Sequence, residues 1–415
     1  MILQNSMESL CLFIKVLREK EKYKTSYILA TTILKNLSDL QKDLPDETKI
    51  NLLYELSISC FYNGKIEEGS SISDSCILNR NFPGTLKNSI ISNLRFYLTK
   101  LDVLESFHVP VVLPLIDSNP EKLWRALNPS ITQYQNGYLI NCRCVNYIQE
   151  STSYTSQEPD GVIRTRNFLI QCDTNFKAIS QHEVTEGNNQ YLQYLSYPKR
   201  IQGYEDCRMI MFCDKLYMFS VCFHLTKEWL PQIGLLEVNL ETGSIEGVKH
   251  IPGLIHNRCE KNWSPFCITG DSNFIYIVYL CDPFCILKIH PSMSKCEIHK
   301  IYQTQLDFTR FRGSAPPIPF DGGYLMIIHE VIFYENNQRM YIHRFIWFKI
   351  EDQPIKKISH AFYLKEMGIE FCSGMCYSQE NENYIYITAG LKDKEAYVFK
   401  CESDTIRKSL KCINL

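Results

Sequence analysis

The sequence predicts an α+β multidomain fold, in which an α-helical domain precedes an all-β domain. Apolar residues recur at helical spacing in about the first 105 residues, whereas short runs of alternating polarity, separated by turn residues, fill most of the remainder. Between the two regions lies Val109-Pro110-Val111-Val112-Leu113-Pro114, whose prolines cannot continue a helix. We therefore predict a helical domain over residues 1–105, a linker over 106–125 and an all-β domain over 126–415.

The composition disfavours several classes of partner. With 415 residues the chain is longer than one ordinary domain, and its hydrophobic content of 45% suffices for a sizeable core. A formal net charge of −2 gives no indication of a nucleic-acid partner or of an anionic membrane surface. No stretch approaches the roughly 18 continuous apolar residues of a membrane-spanning helix, so we predict no membrane span.

The 18 cysteines point to a reducing compartment. Met1 to Lys20 lacks the basic start, apolar run and small-residue cleavage site of a signal peptide, and many cysteines lie in apolar, strand-like runs. We therefore predict buried, reduced thiols in a cytoplasmic protein. No Cys-x-x-Cys spacing and no His-rich cluster occurs, so we predict no metal site. No glycine-rich phosphate loop follows a strand, and we predict no cofactor.

The helical domain is predicted from five periodic segments. In the first, Leu10, Phe13, Ile14 and Leu17 form one apolar stripe. Further helices are predicted over about residues 24–37 and 48–62, then up to about residue 78, and finally over about 85–98.

The third and fourth helices resemble a tetratricopeptide repeat, a two-helix unit of about 34 residues with fixed packing positions. Leu53, Leu56 and Ser57 occupy the large, large and small positions of the first helix. The other matching positions are Gly64 at the turn, Gly69 and Cys76 at the small positions of the second helix, and Pro83 near its end. A generic helical hairpin fits the same pattern equally well.

The all-β domain is predicted from the alternation of side chains along strands. From Tyr138 to Ile148, for example, Leu139, Asn141, Arg143, Val145 and Tyr147 share one face. Further strands are predicted at 168–170, 209–212, 216–223, 233–238, 274–279, 285–289, 324–328, 339–350 and 384–388. Short, regularly spaced strands over this length fit a β-propeller of about five four-stranded blades, and a β-sandwich is the alternative.

Four polar clusters interrupt these strands at about the spacing of one blade. They are Asn128-Pro129-Ser130 with Arg143, Gly203 to Arg208, Arg258 to Phe266, and Arg312 to Ile318 followed by His329. Equivalent positions of successive blades surround the axis of a propeller, so the clusters are predicted to form one site.

The second cluster has the composition of a general-acid site. Gly203-Tyr204-Glu205-Asp206-Cys207-Arg208 places two carboxylates and a guanidinium together before an apolar strand. A carboxylate pair beside an arginine can keep one acid protonated while the other stays charged, as general acid catalysis requires. A surface turn with an ion pair is the alternative.

With these clusters in this order, the chain resembles the five-bladed β-mannoside phosphorylases and hydrolases of glycoside hydrolase family 130 and the related β-1,2-mannosyltransferases. Gly203 to Arg208 resembles the Gly-x-Glu-Asp-Pro-Arg motif of that family. Lys261-Asn262 is similar to its Arg/Lys-Asn pair, and Gly313 to Ile318 is similar to its Gly-x-x-Pro-Pro-Ile. Thr388 to Asp393 is weakly similar to its last-blade motif. The resemblance covers roughly residues 126 to 402.

The resemblance implies a role for each matching residue. Asp206 is the implied general acid, whose pKa its neighbour Glu205 would raise, and Arg208 would keep the site ordered. Residues Lys261, Asn262 and His329 are implied to bind phosphate or the diphosphate of a sugar nucleotide. The substrate-binding residues are predicted to be Asn128, Arg143, Glu205, Arg208, Trp263 and Asp393.

Three residues depart from the pattern of the family. Cys207 replaces the proline of the acid motif, and Trp263 enlarges the position after Lys261-Asn262. We predict that Trp263 stacks on a sugar, and a position in the core is the alternative. Glu330 replaces the glycine after the histidine and adds negative charge near the predicted anion site. That charge disfavours free phosphate as the partner.

We therefore predict an enzyme that performs inverting glycosyl transfer on a mannoside-like sugar. A glycosyltransferase is favoured, followed by a β-mannoside phosphorylase or hydrolase. Its predicted partners are a sugar donor, either a nucleotide sugar or a sugar phosphate, and a glycan acceptor, and the helical domain is predicted to bind a larger acceptor or a protein. The alternative hypothesis is a non-catalytic propeller that binds glycans or proteins.

Overall fold

The computed structural model describes residues 2–39, 46–116, 119–150, 153–186, 201–226, 229–334, 338–350 and 354–412. The chain divides into two compact units. The first contains the chain up to Thr99 together with the short segments 305–308 and 360–362. The second contains residues 100–304, 309–359 and 363–415.

The first unit is α-helical, as predicted. Its helices are α1 (Ile2–Glu19), α2 (Tyr23–Asp39), α3 (Asp46–Tyr62), α4 (Ile66–Leu78) and α5 (Gly84–Asn93), followed by a 3-10 turn over Leu94–Phe96. Their core contains Cys11, Ile14, Ala30, Leu52, Leu56 and Cys60. Within the predicted repeat, Gly64 has φ +66° and follows the end of α3. A Cβ on Gly69 would lie 2.4 Å from the Tyr97 ring, which explains the small residue there.

The second unit is mostly β-structure. In chain order its strands are β1 (Thr99–Lys100), β2 (Glu105–His108), β3 (Leu115–Ile116), β4 (Asn119–Leu123), β5 (Arg125–Tyr134), β6 (Gly137–Val145), β7 (Tyr147–Glu150), β8 (Ser153–Ser156), β9 (Ile163–Cys172), β10 (Ala178–Glu183), β11 (Thr185–Glu186), β12 (Ile201–Gln202), β13 (Glu205–Phe212), β14 (Lys215–Cys222), β15 (Gln232–Val238), β16 (Ser244–Ile251), β17 (Ser264–Phe266), β18 (Ile275–Cys281), β19 (Phe284–Ile289), β20 (Glu297–Tyr302), β21 (Arg312–Gly313), β22 (Ile318–Phe320), β23 (Gly323–Tyr334), β24 (Gln338–Phe348), β25 (Ile355–Ser359), β26 (Phe362–Tyr363), β27 (Glu370–Tyr377), β28 (Tyr384–Leu391), β29 (Glu395–Glu402) and β30 (Leu410–Cys412).

These strands form sheets that follow one another along the chain. Sheet 1 is built on β5, β6, β9 and β10, sheet 2 on β13 to β16, and sheet 3 on β17 to β20. Sheet 4 is built on β22 to β25, and sheet 5 on β27 to β29 with β2 as its fourth strand. The short strand β2, near the start of the unit, therefore completes its last sheet, which joins the two ends of the β chain. The predicted propeller-like arrangement is confirmed at this level.

One strand of each sheet borders a common space. A cavity of about 330 Å³ is lined from β5, β13, β17, β22 and β27 and the residues next to them. The contributing segments are Ser130 to Gln133, Met209 to Met211, Pro265 to Cys267, Pro316 to Pro319 and Ser373 to Tyr377. The convergence of five separate sheets is what brings distant parts of the sequence into one site.

The segment predicted as a linker, residues 106–125, is packed against the β-structure. Val109, Ile116 and Trp124 belong to a buried core that contains residues of sheets 1 and 5. The backbone of Val112 exchanges two hydrogen bonds with the Gln181 side chain, at 2.8 and 3.0 Å. The domain boundaries themselves stay a prediction. One helix in the β region, α6 (Ser403–Ser409), was not predicted from the sequence, because seven residues are too few to show a helical period.

All 18 cysteines are free thiols in the structure, and most of them are buried in the two units. Among the helices that the structure describes, none has both the length and the apolar character that crossing a bilayer requires.

Candidate active site

A second cavity of about 380 Å³ in the β unit brings together most of the predicted site residues. Those that line it are Asn128, Arg143, Glu205, Asp206, Lys261, Asn262, His329 and Asp393. Every one of the five sheets contributes at least one of these residues, either from a strand or from the loop beside it. Arg208 and Trp263, which were predicted to bind substrate, are absent from the lining.

Arg143 links the two carboxylates of the predicted acid motif. Its Nη1 lies 2.8 Å from Asp206 Oδ1 and its Nη2 lies 2.9 Å from Glu205 Oε1. Asn128 Nδ2 donates a further hydrogen bond of 2.8 Å to the same oxygen of Asp206. Because Arg143 is only 5% exposed, these charged contacts form away from bulk water, where they are strong. The carboxylates are therefore held in one orientation towards the cavity.

Irregular segments of the backbone hold these side chains in position. Asn128, Asp206, Asn262 and Asp393 all adopt positive φ, at 44°, 49°, 62° and 51°. Two of them lie in β-bulges, since the register of β5 shifts between Leu127 and Ser130 and that of β13 shifts between Glu205 and Arg208. A bulge turns a side chain away from the regular alternation of a strand. Asn and Asp tolerate positive φ better than other residues with a Cβ, which explains why these types occur here.

Close backbone approaches require glycine beside the site. A Cβ on Gly203, which has φ +95°, would lie 2.2 Å from the carbonyl oxygen of Thr165. A Cβ on Gly390 would lie 2.3 Å from Asn128 Oδ1. Gly203 therefore allows the acid motif to lie against sheet 1, and Gly390 leaves room for the amide that contacts Asp206.

Arg208 does not line the cavity, so the prediction that it binds substrate is corrected. It orders the site through hydrogen bonds to backbone carbonyls. It is 1% exposed. Its Nε donates to the Ser314 carbonyl at 3.0 Å, and its Nη1 donates to the backbone carbonyl of Asp206 at 3.2 Å. The guanidinium therefore joins sheets 2 and 4 and fixes the backbone of Asp206, consistent with the ordering role that the sequence implied for it.

The charge distribution differs from the predicted one. Burial opposes ionisation of Asp206, but the charge of Arg143 and the hydrogen bond from Asn128 outweigh it and lower the pKa of Asp206 below the ordinary value. Burial raises the pKa of Glu205, despite Arg143 and with help from the Asp206 charge. The expectation of a raised pKa for Asp206 is thus wrong, because Arg143 and Asn128 bond directly to its carboxylate.

Asp393 is the other carboxyl group of the cavity. Burial raises its pKa to about 6, against the opposing effects of Arg143 and Arg339 and reinforced by the charge of Asp206. Its proton is therefore exchangeable near neutral pH, which is the range where a group can act as either donor or acceptor.

The predicted anion-binding residues lie together. Lys261 and Asn262 precede sheet 3, His329 lies on β23, and all three line the cavity. Arg312, which the sequence reasoning placed in the fourth cluster without a role, pairs in register with His329 and adds a second cation. Burial, His343 and Arg208 hold the pKa of His329 well below its ordinary value. His329 can therefore contribute a hydrogen bond to an anion but no charge.

Glu330 does not face this cavity, which removes the reason given for disfavouring phosphate. Residues alternate along β23, so His329 and Val331 line the cavity whereas Glu330 points to the other face. There its Oε2 lies 3.4 Å from Arg310 Nε, and the residue is 1% exposed.

Trp263 is a core residue, so its predicted role as a sugar platform is wrong. It is 1% exposed, and its indole N–H donates to Glu260 Oε2 at 2.9 Å. Its ring packs edge-on against Tyr279, with ring centroids 5.2 Å apart. The side chain points between sheets 2 and 3, where apolar residues of both sheets surround it.

A further cavity of about 370 Å³ adjoins the anion-binding group. It shares Lys261, Asn262 and Arg312 with the first cavity and continues past them to Arg258, Tyr279 and Phe311. The three shared residues therefore border two spaces. One contains the carboxylates of the acid motif, and the other is lined by Arg258, Tyr279 and the carboxylate of Asp282.

Several lining residues were missed by the sequence reasoning. They are Tyr147, Tyr154, Arg339 and Tyr341. Tyr147 shares its predicted strand face with Arg143, and that alternation was a usable signal. No sequence motif includes Tyr154, Arg339 or Tyr341. Their positions at the cavity depend on how two hairpins approach each other. Within the described ranges, no three His, Cys, Asp or Glu side chains are grouped to hold a metal ion.

The chain has the fold of the proteins that its motifs resemble. A solved structure from the glycoside hydrolase family 130 of mannoside phosphorylases, whose members include hydrolases that target β-1,2-mannosidic linkages in Candida mannan, covers 74% of this chain and 96% of its own with a TM-score of 0.51 and 12% identity. The β-1,2-mannobiose phosphorylase of Listeria innocua gives 0.49 and 12%, covering 73% and 96%. A GDP-Man-dependent mannosyltransferase of Leishmania mexicana gives 0.47 and 11%, covering 76% and 94%. No family model and no curated protein matches the chain.

Proposed function

We propose that the cavity binds a mannoside-like sugar and transfers its glycosyl group with inversion, with Asp206 as the general acid. The observation that carries this proposal is the arrangement around Arg143, which holds Glu205 and Asp206 in one cavity with Asp393, beside Lys261, Asn262 and Arg312. The carboxylates suit sugar hydroxyls and proton transfer, and the cationic group suits an anionic partner. The shared fold is compatible with this chemistry, although folds host many functions.

Sugar binding would change the protonation of Asp206. Asp206 has a lowered pKa and therefore carries a charge rather than a proton. A sugar that fills the cavity displaces water from the carboxylate, and desolvation favours the protonated form. We propose that substrate binding in this way raises the pKa of Asp206 and prepares it to protonate the leaving oxygen.

The lowered pKa of Asp206 is also the observation that favours the non-catalytic alternative. A permanently ionised Asp206, fixed by Arg143 and Asn128, could accept hydrogen bonds from a glycan without donating a proton. In that case the same cavity would be a sugar-binding site only.

We propose that the anionic partner is a nucleotide sugar, with a sugar phosphate as the alternative. Lys261, Asn262 and Arg312 would suffice to bind free phosphate, and Glu330 faces away from them. The adjoining cavity of about 370 Å³, with Arg258 and aromatic Tyr279, offers additional room for a second phosphate and a nucleoside.

The finer architecture is also proposed. We infer that sheets 1 to 5 are five blades around one axis, because all five line both the 330 Å³ and the 380 Å³ cavities. We infer that α3 and α4 form a tetratricopeptide-like hairpin, because Gly64 and Gly69 occupy the turn and the small packing position. Such hairpins commonly present surfaces for protein partners, and we propose that role for the helical unit.

The test compares donors and an acid-site variant. Wild-type protein is incubated with GDP-mannose or mannose 1-phosphate and with mannose or β-1,2-mannobiose as acceptor, and product is measured by chromatography. Asp206→Asn should lower turnover by about 10²–10⁴-fold while sugar binding persists, since the amide keeps the shape but cannot deliver a proton. Asp214→Asn, at the exposed turn between β13 and β14, is the matched control. Sugar binding without turnover in the wild type would instead establish the non-catalytic function.

A further inference from the structure

Helix α1 carries apolar side chains on two opposite faces. Cys11 and Ile14 lie on the inner face and are buried in the core that α1 shares with α2 and α3. Leu12 and Phe13 lie on the outer face, where they are 62% and 55% exposed. Val16, about one turn further along that face, is half-buried. A surface helix normally has one apolar stripe and a polar opposite face, so the second stripe of α1 calls for a partner.

Leu12, Phe13 and Val16 form one continuous outer stripe. Val16 follows Leu12 by four residues and Phe13 by three, so it lies beside both on the helix surface. Single exposed apolar side chains are common on proteins, whereas contiguous ones mark contact surfaces. Helical hairpins that stack into arrays have a polar outer face where the array ends. Helix α1 presents an apolar outer face instead, which is the character of a contact surface.

Two exposed charges of opposite sign flank the outer stripe. Glu8 lies four residues before Leu12 and Lys15 lies three residues after it, so both are on the same side of the stripe, about one turn towards either end. Among the described residues, neither Glu8 nor Lys15 takes part in an ion pair. The sign of the charge therefore changes from negative to positive along this flank, and a second α1 that runs in the opposite direction matches it.

An antiparallel second copy of α1 satisfies both the apolar stripe and the charges. With the twofold axis midway between Leu12 and Phe13, Leu12 packs against Phe13 of the second copy, and symmetry repeats the contact. The residue level with Glu8 is then Leu17 of the second copy, about 3 Å along the axis from Lys15 of that copy. The twofold axis keeps the two charged flanks on the same side of the contact, so Glu8 and Lys15 pair twice. A parallel copy would put these flanks on opposite sides and would pair neither.

We propose that the outer stripe of α1 is the interface of a weak, antiparallel homodimer, in which pairs of Glu8 with Lys15 fix the register. A second copy of this chain is thus a partner of the helical unit, and the contact does not depend on the sugar chemistry of the β unit. Three apolar side chains from each copy bury far less than the roughly 1,600 Å² of a standard stable interface. The dimer is therefore expected to be transient, with a dissociation constant in the micromolar range.

Sedimentation velocity of the full chain over about 1 to 200 µM protein tests the contact, because a micromolar dimer changes its population across this range. The wild type should shift from monomer towards dimer as the concentration rises. Leu12→Gln should remove the shift, since it places a polar group at the centre of the contact. Ile179→Gln is the matched control, because Ile179 is 64% exposed but lies on β10 of the β unit. This control should associate like the wild type.

Charge reversal tests the register. Glu8→Lys and Lys15→Glu should each weaken dimerisation about fivefold or more, since each brings like charges together at two symmetric positions. The double variant, Glu8→Lys with Lys15→Glu, restores opposite signs and should recover most of the association of the wild type. Circular dichroism of every variant checks that the helices are retained.

A wild type that stays monomeric up to about 200 µM would overturn the proposal. Dimerisation that persists in Leu12→Gln, or that is lost equally in Ile179→Gln, would overturn the assignment of the contact to α1. A double variant that dimerises no better than the single charge reversals would overturn the antiparallel register. Sugar binding and turnover are measured separately, so failure of the homodimer leaves the proposed function standing.

Discussion

At the residue scale, burial and the ion pairs of Arg143 together determine the protonation of the site. One guanidinium bonds to both Glu205 and Asp206, so neither carboxylate behaves as an isolated acid. The lowered pKa of Asp206 and the raised pKa of Glu205 follow from this geometry and from burial. Asp393 lies close enough to sense the same charges, and its pKa of about 6 makes it the carboxyl most easily tested by titration.

Asp393→Asn should change how stability depends on pH. Burial raises the pKa of Asp393 to about 6, so the folded protein holds this proton more tightly than the unfolded chain does. The free energy of unfolding contributed by Asp393 is therefore fully present at low pH and is lost as the pH rises from about 4 to about 6. Because the amide does not ionise, the variant should gain stability relative to the wild type over that window, on the order of 3 kcal/mol.

Urea unfolding of both proteins between pH 4.5 and 7.5 measures this difference. Asp214→Asn serves as the control, since Asp214 is exposed at a hairpin turn. A constant difference between Asp393→Asn and wild type at every pH would show that Asp393 does not titrate in this range.

At the element scale, β-bulges and residues with positive φ orient the side chains of the candidate catalytic residues. A regular strand places alternate side chains on opposite faces, and that alternation correctly places Arg143 and Tyr147 on one side. Asn128 and Asp206 depart from it, because each lies at a register shift with positive φ. The shift allows Asp206 to reach Arg143 on the neighbouring sheet.

Gly203→Ala tests the importance of this local geometry. The new Cβ would carry the strain of positive φ and would also lie 2.2 Å from the Thr165 carbonyl oxygen. Gly270→Ala is a matched control, because Gly270 has φ +87° but open space around its Cβ position. The control should lose about 1–2 kcal/mol of unfolding free energy from backbone strain alone.

Gly203→Ala should lose clearly more stability than this control, and its sugar affinity should fall because the acid motif moves away from sheet 1. Thermal unfolding and calorimetry measure the two effects. Equal destabilisation of the two variants, with sugar binding intact, would contradict the importance of the close approach.

At the scale of the whole molecule, the exposure of each cysteine thiol shows where the chain is closely packed. Of the 18 thiols, Cys213, Cys259 and Cys412 are exposed and Cys267 is half-buried, and the others are buried. Burial also raises the pKa of many buried thiols, for example that of Cys207 to about 12, which suppresses the reactive thiolate.

A thiol reagent applied to the native protein should therefore react rapidly with the three exposed cysteines and slowly with the rest. After unfolding without reductant, all 18 should react, because the structure contains no disulfide between them. Mass spectrometry of the labelled peptides identifies the reactive positions. Rapid labelling of cysteines in the sheet cores, or a total well below 18, would contradict the packing described here.

The order of the elements and the chemical composition of the site can be predicted from the amino-acid sequence. Helical periodicity and strand alternation depend on neighbours along the chain, so they can be read without the fold. Asn128, Arg143, Glu205, Asp206, Lys261, Asn262, His329 and Asp393 were predicted in this way together with the family resemblance, and the structure brings them into one cavity.

The face of each strand that borders this cavity depends on how the sheets pack together, which local sequence does not specify. Alternation separates Glu330 from His329 but does not tell which of them faces inwards, and Trp263 follows the anion-binding pair in sequence but lies between two sheets. The pKa of Asp206 likewise depends on Arg143 and Asn128, which reach it from another sheet. Tyr154 and Arg339 line the cavity together because two hairpins that are distant in sequence meet. No local sequence pattern predicts that contact.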